Sequence, residues 1–407
     1  MPKRPALEVF TSARHTGALA RSDVEADTFL FGYRDDCPRE DAASLTMPVV
    51  RDQYESMGAL HPVFEMNLPE GALLEKLRAR FSKAVEDFDD LTLLSIVGRS
   101  QIGRLRYALP GQQPAEVPAQ DLSRLLSYRG SEDLFASLLE EYAPYSGVSG
   151  LQPKVLLRAA DVSLPQATAR GATHLVKSFD PREFPELAAN EFFCLRAATL
   201  AGIPVPEAKL AENRRVLVLR RFDLLESGIY LGCEDFCVLN GLRAHGRYHG
   251  AYETVAKRIS QFVSPDQQRP ALEQFFSMLT LCCAVENGDA HLKNFAVLYD
   301  DTEGVVSLAP AYDIVSTTPY QRRDVLALTL GGTKAFPERP ALADFGRRAC
   351  GLSNASVERT FERVAAGVDG ALAEIRQFAN EQSSFTRAAE SLQAAFLRGL
   401  QRSIRPI

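Results

Sequence analysis

The sequence predicts an α+β fold: a small mixed subdomain first, a strand-rich lobe next, and a mainly helical lobe last. Three observations carry this reading. Short apolar runs at 154–157, 174–177 and 216–219 are bounded by turn residues, as buried strands are. From about residue 236 onward the pattern is mainly helical, interrupted by one hairpin-like stretch between Phe295 and Ala309. A Pro-rich stretch at 110–118 reads as a linker behind the first segment. The expected domains are 1–120, 121–235 and 236–407.

Composition bounds the function classes. The chain has 407 residues, enough for two or three cores. Hydrophobic residues make up 46% and charged residues 24%, ordinary values for a globular chain. The net charge of −6 supplies no overall basic field for nucleic acid. No run reaches the roughly 18–20 apolar residues of a membrane span, so no membrane association is expected. The most apolar run, 275–285, reads as a buried helix. Met1-Pro2-Lys3-Arg4 leads into polar and charged residues, so no signal peptide is expected. Seven cysteines without a second Cys/His pair near Cys233 and Cys237 point to reduced thiols in a cytoplasmic protein.

In chain order, Leu7-Glu8-Val9-Phe10 opens as a strand, and the aromatic-rich Thr28-Phe29-Leu30-Phe31-Gly32-Tyr33 is another. Leu73, Leu74 and Leu77 have helical spacing behind Leu68-Pro69-Glu70-Gly71. A second helical run stops before Gly98-Arg99-Ser100. Ile102-Gly103-Arg104-Leu105-Arg106-Tyr107 partly alternates, as a half-buried strand does. Residues 122–142 carry one helical pattern, and Gly147-Val148-Ser149-Gly150 then turns the chain. Residues 187–200 read as a helix stopped by Gly202 and Pro204.

The chemistry concentrates where the apolar helix stops at Glu286-Asn287-Gly288. Asp289-Ala290-His291-Leu292-Lys293-Asn294 follows, then a strand, a turn and a returning strand that leads to Tyr312-Asp313. An isolated Asp-x4-Asn pair reads most simply as a polar turn capping a helix. Set between a buried helix and a hairpin that returns with another carboxylate, it fits phosphoryl transfer. That reaction needs a base for the hydroxyl proton and oxygen ligands that hold Mg²⁺ against the phosphates of ATP. Asp289 fits the base, Asn294 and Asp313 the metal ligands, and Lys293 a charge that neutralises the transferred group. His291 is a cofactor-binding candidate that either orients the loop or packs. Asp344-Phe345-Gly346 spells the metal-binding tripeptide of typical protein kinases. Its neighbours look helical and it sits in no recognisable hairpin, so Asp313 is preferred.

Ser146-Gly147-Val148-Ser149-Gly150-Leu151-Gln152-Pro153-Lys154 is a glycine loop running into a strand. Its backbone N–H groups can face phosphate oxygens, with Ser149, Gly150 and Gln152 as the candidates. Taken alone it reads as an ordinary turn, and it lacks the Gly-Lys-Ser/Thr of a Walker A loop. Lys177 closes Thr173-His174-Leu175-Val176-Lys177 and can pair with the α- and β-phosphates; the simpler reading is a surface lysine on an edge strand. Glu191 is its candidate ion-pair partner and Glu186 the rival. Arg221-Phe222-Asp223 falls where the lobes would join and adenine would pack.

These motifs resemble the HipA family, the kinase toxins of type II toxin–antitoxin pairs. The resemblance rests on Ser149-Gly-Leu-Gln-Pro-Lys154, Thr173-His-Leu-Val-Lys177, Asn190-Glu191, Arg221-Phe-Asp223, Glu234-Asp235, Asp289-Ala-His-Leu-Lys-Asn294-Phe295 and Tyr312-Asp313. Leu45-Thr-Met-Pro48, Asn67-Leu-Pro69 and Gly98-Arg-Ser-Gln-Ile-Gly103 match the family's small first subdomain, so nearly the whole chain is covered. The resemblance implies a two-lobed protein-kinase-like fold, ATP with Mg²⁺, and serine/threonine phosphorylation of a protein substrate. In several relatives that substrate is an aminoacyl-tRNA synthetase, and translation stops. It also implies a HipB-like DNA-binding antitoxin as partner, with DNA reached only through it. Asp289 is then the base, Asn294 and Asp313 bind Mg²⁺, and Lys177 binds ATP phosphates. Family members often carry Ser-x-Ser-Gly in the glycine loop and are autophosphorylated there. Here Gly147 takes the first serine position, so Ser149 is the expected site and Ser146 the second choice. Two alternatives stay open: a catalytically weak corepressor acting with the antitoxin, and a small-molecule kinase of the aminoglycoside or choline type.

Overall fold

The computed structural model describes residues 6–25, 27–50, 53–81, 88–114, 116–128, 134–150, 152–160, 171–179 and 181–405. The chain forms two compact units. One comprises Met1–Ser178, Ala211–His245 and Val297–Val306; the other comprises Phe179–Leu210, Gly246–Ala296 and Ser307–Ile407.

In the first unit, β1 (Ala6–Thr11), β2 (Arg14–Arg21), β3 (Thr28–Tyr33), β4 (Gln53–Met57) and β5 (Leu105–Ala108) make an antiparallel sheet in the order β4-β3-β2-β1-β5. Leu7, Val9, Phe29, Phe31 and Tyr107 bury one face, and the β1–β2 register slips at Val9/Phe10, as at a bulge. Helix Asp90–Val97 starts on a true cap, the Asp89 carboxylate accepting from the Thr92 N–H at 2.8 Å. A second set of strands follows: β6 (Ala119–Gln120), β7 (Lys154–Ala159) and β8 (His174–Ser178). Strand β9 (Ala208–Leu210) belongs to the other unit, and β10 (Val216–Arg220) returns to this one. Strands β6, β7, β8 and β10 are neighbours in that order. One hydrophobic core, reaching from Leu7 to Val238, serves both groups of strands. Strand β11 (Gly232–Asp235) closes this stretch.

Two expectations change. Strands β2 and β4 have no counterpart in the sequence reading. The single helix expected over 122–142 is two: Leu122–Leu126, closed where the Ser127 hydroxyl and N–H both turn back on the Ser123 carbonyl, and Leu134–Tyr142. Residues 129–133 lie outside the described residues.

The second unit is mainly helical. Helix Gln268–Ala284 is buried along 275–284 and packs against Asn354–Glu381 and Thr386–Ser403. Helix Leu187–Leu200, with the bounds the sequence predicts, also lies on Asn354–Glu381, where Phe193 meets Phe378 and Phe385. The hairpin β12 (Ala296–Tyr299) and β13 (Val306–Leu308), whose stretch Val297–Val306 belongs to the first unit, carries the chain on toward Asp313. No described helix is long and apolar enough to cross a membrane. All seven cysteines are free thiols.

Candidate functional site

The site in the second unit is built from two short loops. Helix Gln268–Ala284 hands the chain to Asn287, whose side-chain Oδ1 accepts from the Asp289 N–H at 2.9 Å. This local turn fixes the start of the loop, a habit of Asn side chains. The His291 N–H donates to the Asp289 carbonyl (2.8 Å) and to Asn294 Oδ1 (3.0 Å), while the Asn294 N–H returns to the His291 carbonyl (3.0 Å). These bonds close the 3₁₀ turn Leu292–Asn294 and fix the Asn294 amide. Asn294 Nδ2 donates to Asp313 Oδ2 at 3.2 Å, and the Tyr312 hydroxyl donates to the Lys293 carbonyl at 2.8 Å. Asp313 has φ +56°, a left-handed conformation that costs an L residue on the order of 1–2 kcal/mol. Such strain persists only where neighbours over-determine it. Asn294 holds the Asp313 side chain, and three residues on, Asn190 holds the backbone, accepting from the Ser316 N–H and donating to the Ser316 carbonyl, both at 2.8 Å.

The electrostatics suit proton transfer. Burial pushes the Asp289 carboxyl up to about 6, and the charges of Asp313 and Asp324 push the same way. The Tyr248 hydroxyl, donating to Asp289 Oδ1 at 2.9 Å, and the Arg247 charge oppose them. Burial takes His291 down to about 4, so its imidazole is neutral at pH 7. The ring meets Tyr248 edge-on at 5.0 Å, and its buried Nδ1 has no partner among the described atoms.

The donor set also fits a nucleotide-bound Mg²⁺. Among the described residues no group of three or more His, Cys, Asp or Glu could cage a metal alone. Magnesium takes hard oxygen ligands, commonly one or two carboxylates with phosphates and water. The Asp313 carboxylate and Asn294 Oδ1 offer that kind of oxygen, and a carbonyl oxygen that accepts one hydrogen bond retains a second lone pair.

The first unit holds the other sequence candidates. Lys177 is buried on β8 between β7 and β10, opposite Lys154 and Leu217, so it is a central-strand lysine. Ser146 is fully buried; its hydroxyl donates to the Tyr142 carbonyl (2.7 Å) and accepts from the Leu156 N–H (2.9 Å). Ser149 is partly exposed and donates to Glu70 Oε1 at 2.6 Å, while Lys154 Nζ donates to the Ser149 carbonyl at 3.2 Å. Gly150 has φ +119°, and the buried Gln152 Oε1 has no partner among the described atoms. Leu151, part of the same motif, lies outside the described residues. Phe222 is half-buried.

Arg221 and Asp223, expected where adenine would pack, also bind each other. Their side chains are each 1% exposed and form an ion pair, with Arg221 Nε on Asp223 Oδ1 at 2.9 Å. The guanidinium also donates to the carbonyls of Ala172 and Gln101, and Asp223 Oδ2 accepts from the Gly103 N–H at 2.7 Å. The polar atoms of the pair thus all have partners within the first unit. Glu186 and Glu191 lie in the second unit, Glu191 buried in helix Leu187–Leu200 and Glu186 just before it with φ +61°. Asp344-Phe345-Gly346 sits inside helix Arg339–Arg348, where Asp344 is 42% exposed and pairs with Arg347 and Arg348.

Sequence reasoning missed Tyr248, Asp324 and the Asn190 lock. Tyr248 comes from the 3₁₀ turn Ala244–Tyr248, with no motif to mark it. Asn190 stands beside Glu191 in a matched motif, which was a usable signal.

Comparison with known proteins fits these features. The HipA-like C-terminal domain matches residues 146–372, and the HipA N-terminal domain matches residues 7–108. Y4mE of Sinorhizobium fredii is 28% identical over 278 residues, 64% of this chain and 64% of its own length. Y4dM of the same organism is 25% identical over 296 residues, 67% of this chain and 66% of its own length. Both are named as kinases by inference, and the match spans under two thirds of either protein. The solved Shewanella oneidensis HipA, in complex with HipB and its operator DNA, aligns with TM-score 0.70 and 19% identity over 97% of this chain and 98% of that one. That likeness establishes the fold: the α+β, kinase-like architecture expected from the sequence. With both family domains matched in order over most of its length, the chain belongs to the HipA family.

Proposed function

We propose that this chain is an ATP- and Mg²⁺-dependent protein serine/threonine kinase, the toxin of a toxin–antitoxin pair. The observation that carries the reading is the meeting of Asp289, its carboxyl raised to about 6, with the Asn294–Asp313 pair at 3.2 Å. Asp289 accepts the proton of the acceptor hydroxyl as the oxygen attacks phosphorus. A pKa near 6 keeps it ionised at neutral pH and more basic than an ordinary aspartate. Tyr248 holds the carboxylate in place. Asn294 and Asp313 would hold Mg²⁺, which with bound ATP supplies the γ-phosphoryl group and spreads its charge. Lys293 counters charge on the transferred group. Lys177, His291 and the loop residues Ser149, Gly150 and Gln152 take the nucleotide, with adenine packing at Arg221-Phe222-Asp223, whose ion pair also braces the first unit.

Autophosphorylation falls on Ser149, whose hydroxyl is partly exposed and held by one carboxylate. Ser146 is locked on both sides and would have to leave the core to react. A phosphate of nearly two negative charges on Ser149 would be repelled by Glu70 and by bound ATP, releasing the loop and stopping the enzyme. The HipB partner of the Shewanella protein supports a HipB-like antitoxin here, with DNA reached only through it. The substrate is a protein, with an aminoacyl-tRNA synthetase as first choice, so that phosphorylation halts translation and growth. The test is expression of wild type and Asp313→Ala, with growth recorded and new phosphoserines and phosphothreonines mapped by mass spectrometry. Wild type should arrest growth and add new sites, and Asp313→Ala should do neither. An extract given the purified protein and Mg-ATP that gains no phosphorylated residue would sink the reading.

A further inference from the structure

Glu286 stands at the corner where helix Gln268–Ala284 becomes the loop of Asp289. It has φ +53°, a conformation that needs outside support in a residue with a side chain. Its carboxylate is 2% exposed, and such a group must be paired. Two arginines one helical turn apart do this: Arg398 Nη2 donates to Oε2 at 2.8 Å and Arg402 Nη2 to Oε1 at 2.9 Å. The Thr318 hydroxyl donates to Oε2 at 2.6 Å, and the Glu286 carbonyl accepts from the Thr317 N–H and hydroxyl at 3.1 and 3.2 Å. Thr317 Oγ1 in turn accepts from the Gly288 N–H at 2.9 Å, one residue before Asp289. Glu286 therefore joins the loop of Asp289 to the stretch that follows Asp313. Between the two arginines lies Gly399, where a Cβ would come within 2.3 Å of the Ala284 carbonyl and 2.6 Å of the Cys283 carbonyl. The helix is seated against the end of Gln268–Ala284 at that level, and no side chain fits there.

We infer that helix Thr386–Ser403 is a positioning element of the phosphoryl-transfer centre, acting through an Arg398–Glu286–Arg402 clamp that fixes the spacing between the loops of Asp289 and Asp313. One negative charge needs one positive partner; two guanidinium groups gripping separate oxygens fix its direction as well. Glu286 spends both carboxylate oxygens on protein partners, so it acts through Asp289 and Asp313. The inference rests on the kinase reading for its catalytic consequence, while the clamp itself is measurable without catalysis.

The test uses the full chain as Glu286→Gln/Arg398→Met/Arg402→Met, which removes the clamp without leaving a buried charge unpaired. Native-state amide exchange at 287–294 should rise by about tenfold or more, with helix Gln268–Ala284 changing less than about threefold. Phosphate transfer should lose about 10- to 100-fold in kcat, with the KM for ATP within about threefold. Arg398→Lys/Arg402→Lys, which keeps the charges without the forks, should fall between the two. Arg398→Ala alone leaves Arg402 in place, and covers the case of a triple variant that does not fold. It should shift loop exchange the same way by a smaller factor. Loop exchange unchanged in a folded variant, or loop and helix rising together, overturns the clamp. A wild-type protein that transfers no phosphate defeats the kinase reading, and the exchange result still decides the clamp.

Discussion

The Arg221–Asp223 pair and the Asp289–Asn294–Asp313 group are both charged clusters that the sequence points toward ATP. In the first, each guanidinium nitrogen and both carboxylate oxygens are engaged within the protein, and the side chains are 1% exposed. In the second, Asp289 is raised to about 6, Asp313 is left-handed, and the buried His291 Nδ1 has no partner among the described atoms. A cluster whose charges are paired within the protein contributes first to stability. A cluster held in an unfavourable state has capacity left for chemistry. The two should therefore respond oppositely to mutation.

The largest effect expected is on transfer. Asp313→Ala should lower the phosphate-transfer rate by about 10³-fold or more, since it removes an oxygen at which charge must be balanced; steady-state labelling with ATP reads it. Arg221→Ala should cost on the order of 3–5 kcal/mol by chemical denaturation, because it strands the buried Asp223 carboxylate. Unchanged stability with lost ATP binding would leave that pair to the nucleotide alone. Asp289→Asn should have the opposite sign. A raised folded-state pKa means the fold disfavours the ionised form. That cost is fully present above about pH 6 and disappears below the unfolded value near 4. The variant should thus melt higher than wild type at pH 7 and level with it at pH 4. The smallest effect is at Asp344, whose partners are surface arginines: Asp344→Ala should change stability by under about 0.5 kcal/mol and leave transfer intact.

How much of this was legible follows from where the partners lie in the chain. Helix Leu187–Leu200 and the hairpin after Phe295 could be read because their apolar pattern and their turns are local. Strand β4 could not: Gln53-Tyr54-Glu55-Ser56-Met57 is a polar edge strand with no buried face to imprint a pattern. Strand β2, Arg14-His-Thr-Gly-Ala-Leu-Ala-Arg21, has Thr16 as its one β-branched residue and no Phe, Tyr or Trp, and Gly17 and two alanines dilute the strand signal. The loop of Asp289 stood out because the members of the candidate site follow one another from Asn287 to Asp313. Tyr248, Asn190, Arg398 and Arg402 reach it from separate elements and carry no mark of their destination. The internal ion pair of Arg221-Phe222-Asp223 was hidden for the same reason: its partners Gln101 and Gly103 are remote in sequence.

The most direct test of the central claim, that Asp289 is the base of a phosphoryl-transfer centre, is γ-phosphate transfer from Mg-ATP measured from pH 5 to pH 8 in wild type and Asp289→Asn. Wild type should transfer phosphate with a rate that falls tenfold per unit below about pH 6, as Asp289 takes up its proton. Asp289→Asn should bind ATP and transfer nothing at any pH. Transfer by Asp289→Asn at the wild-type rate, with the same pH profile, would contradict the claim.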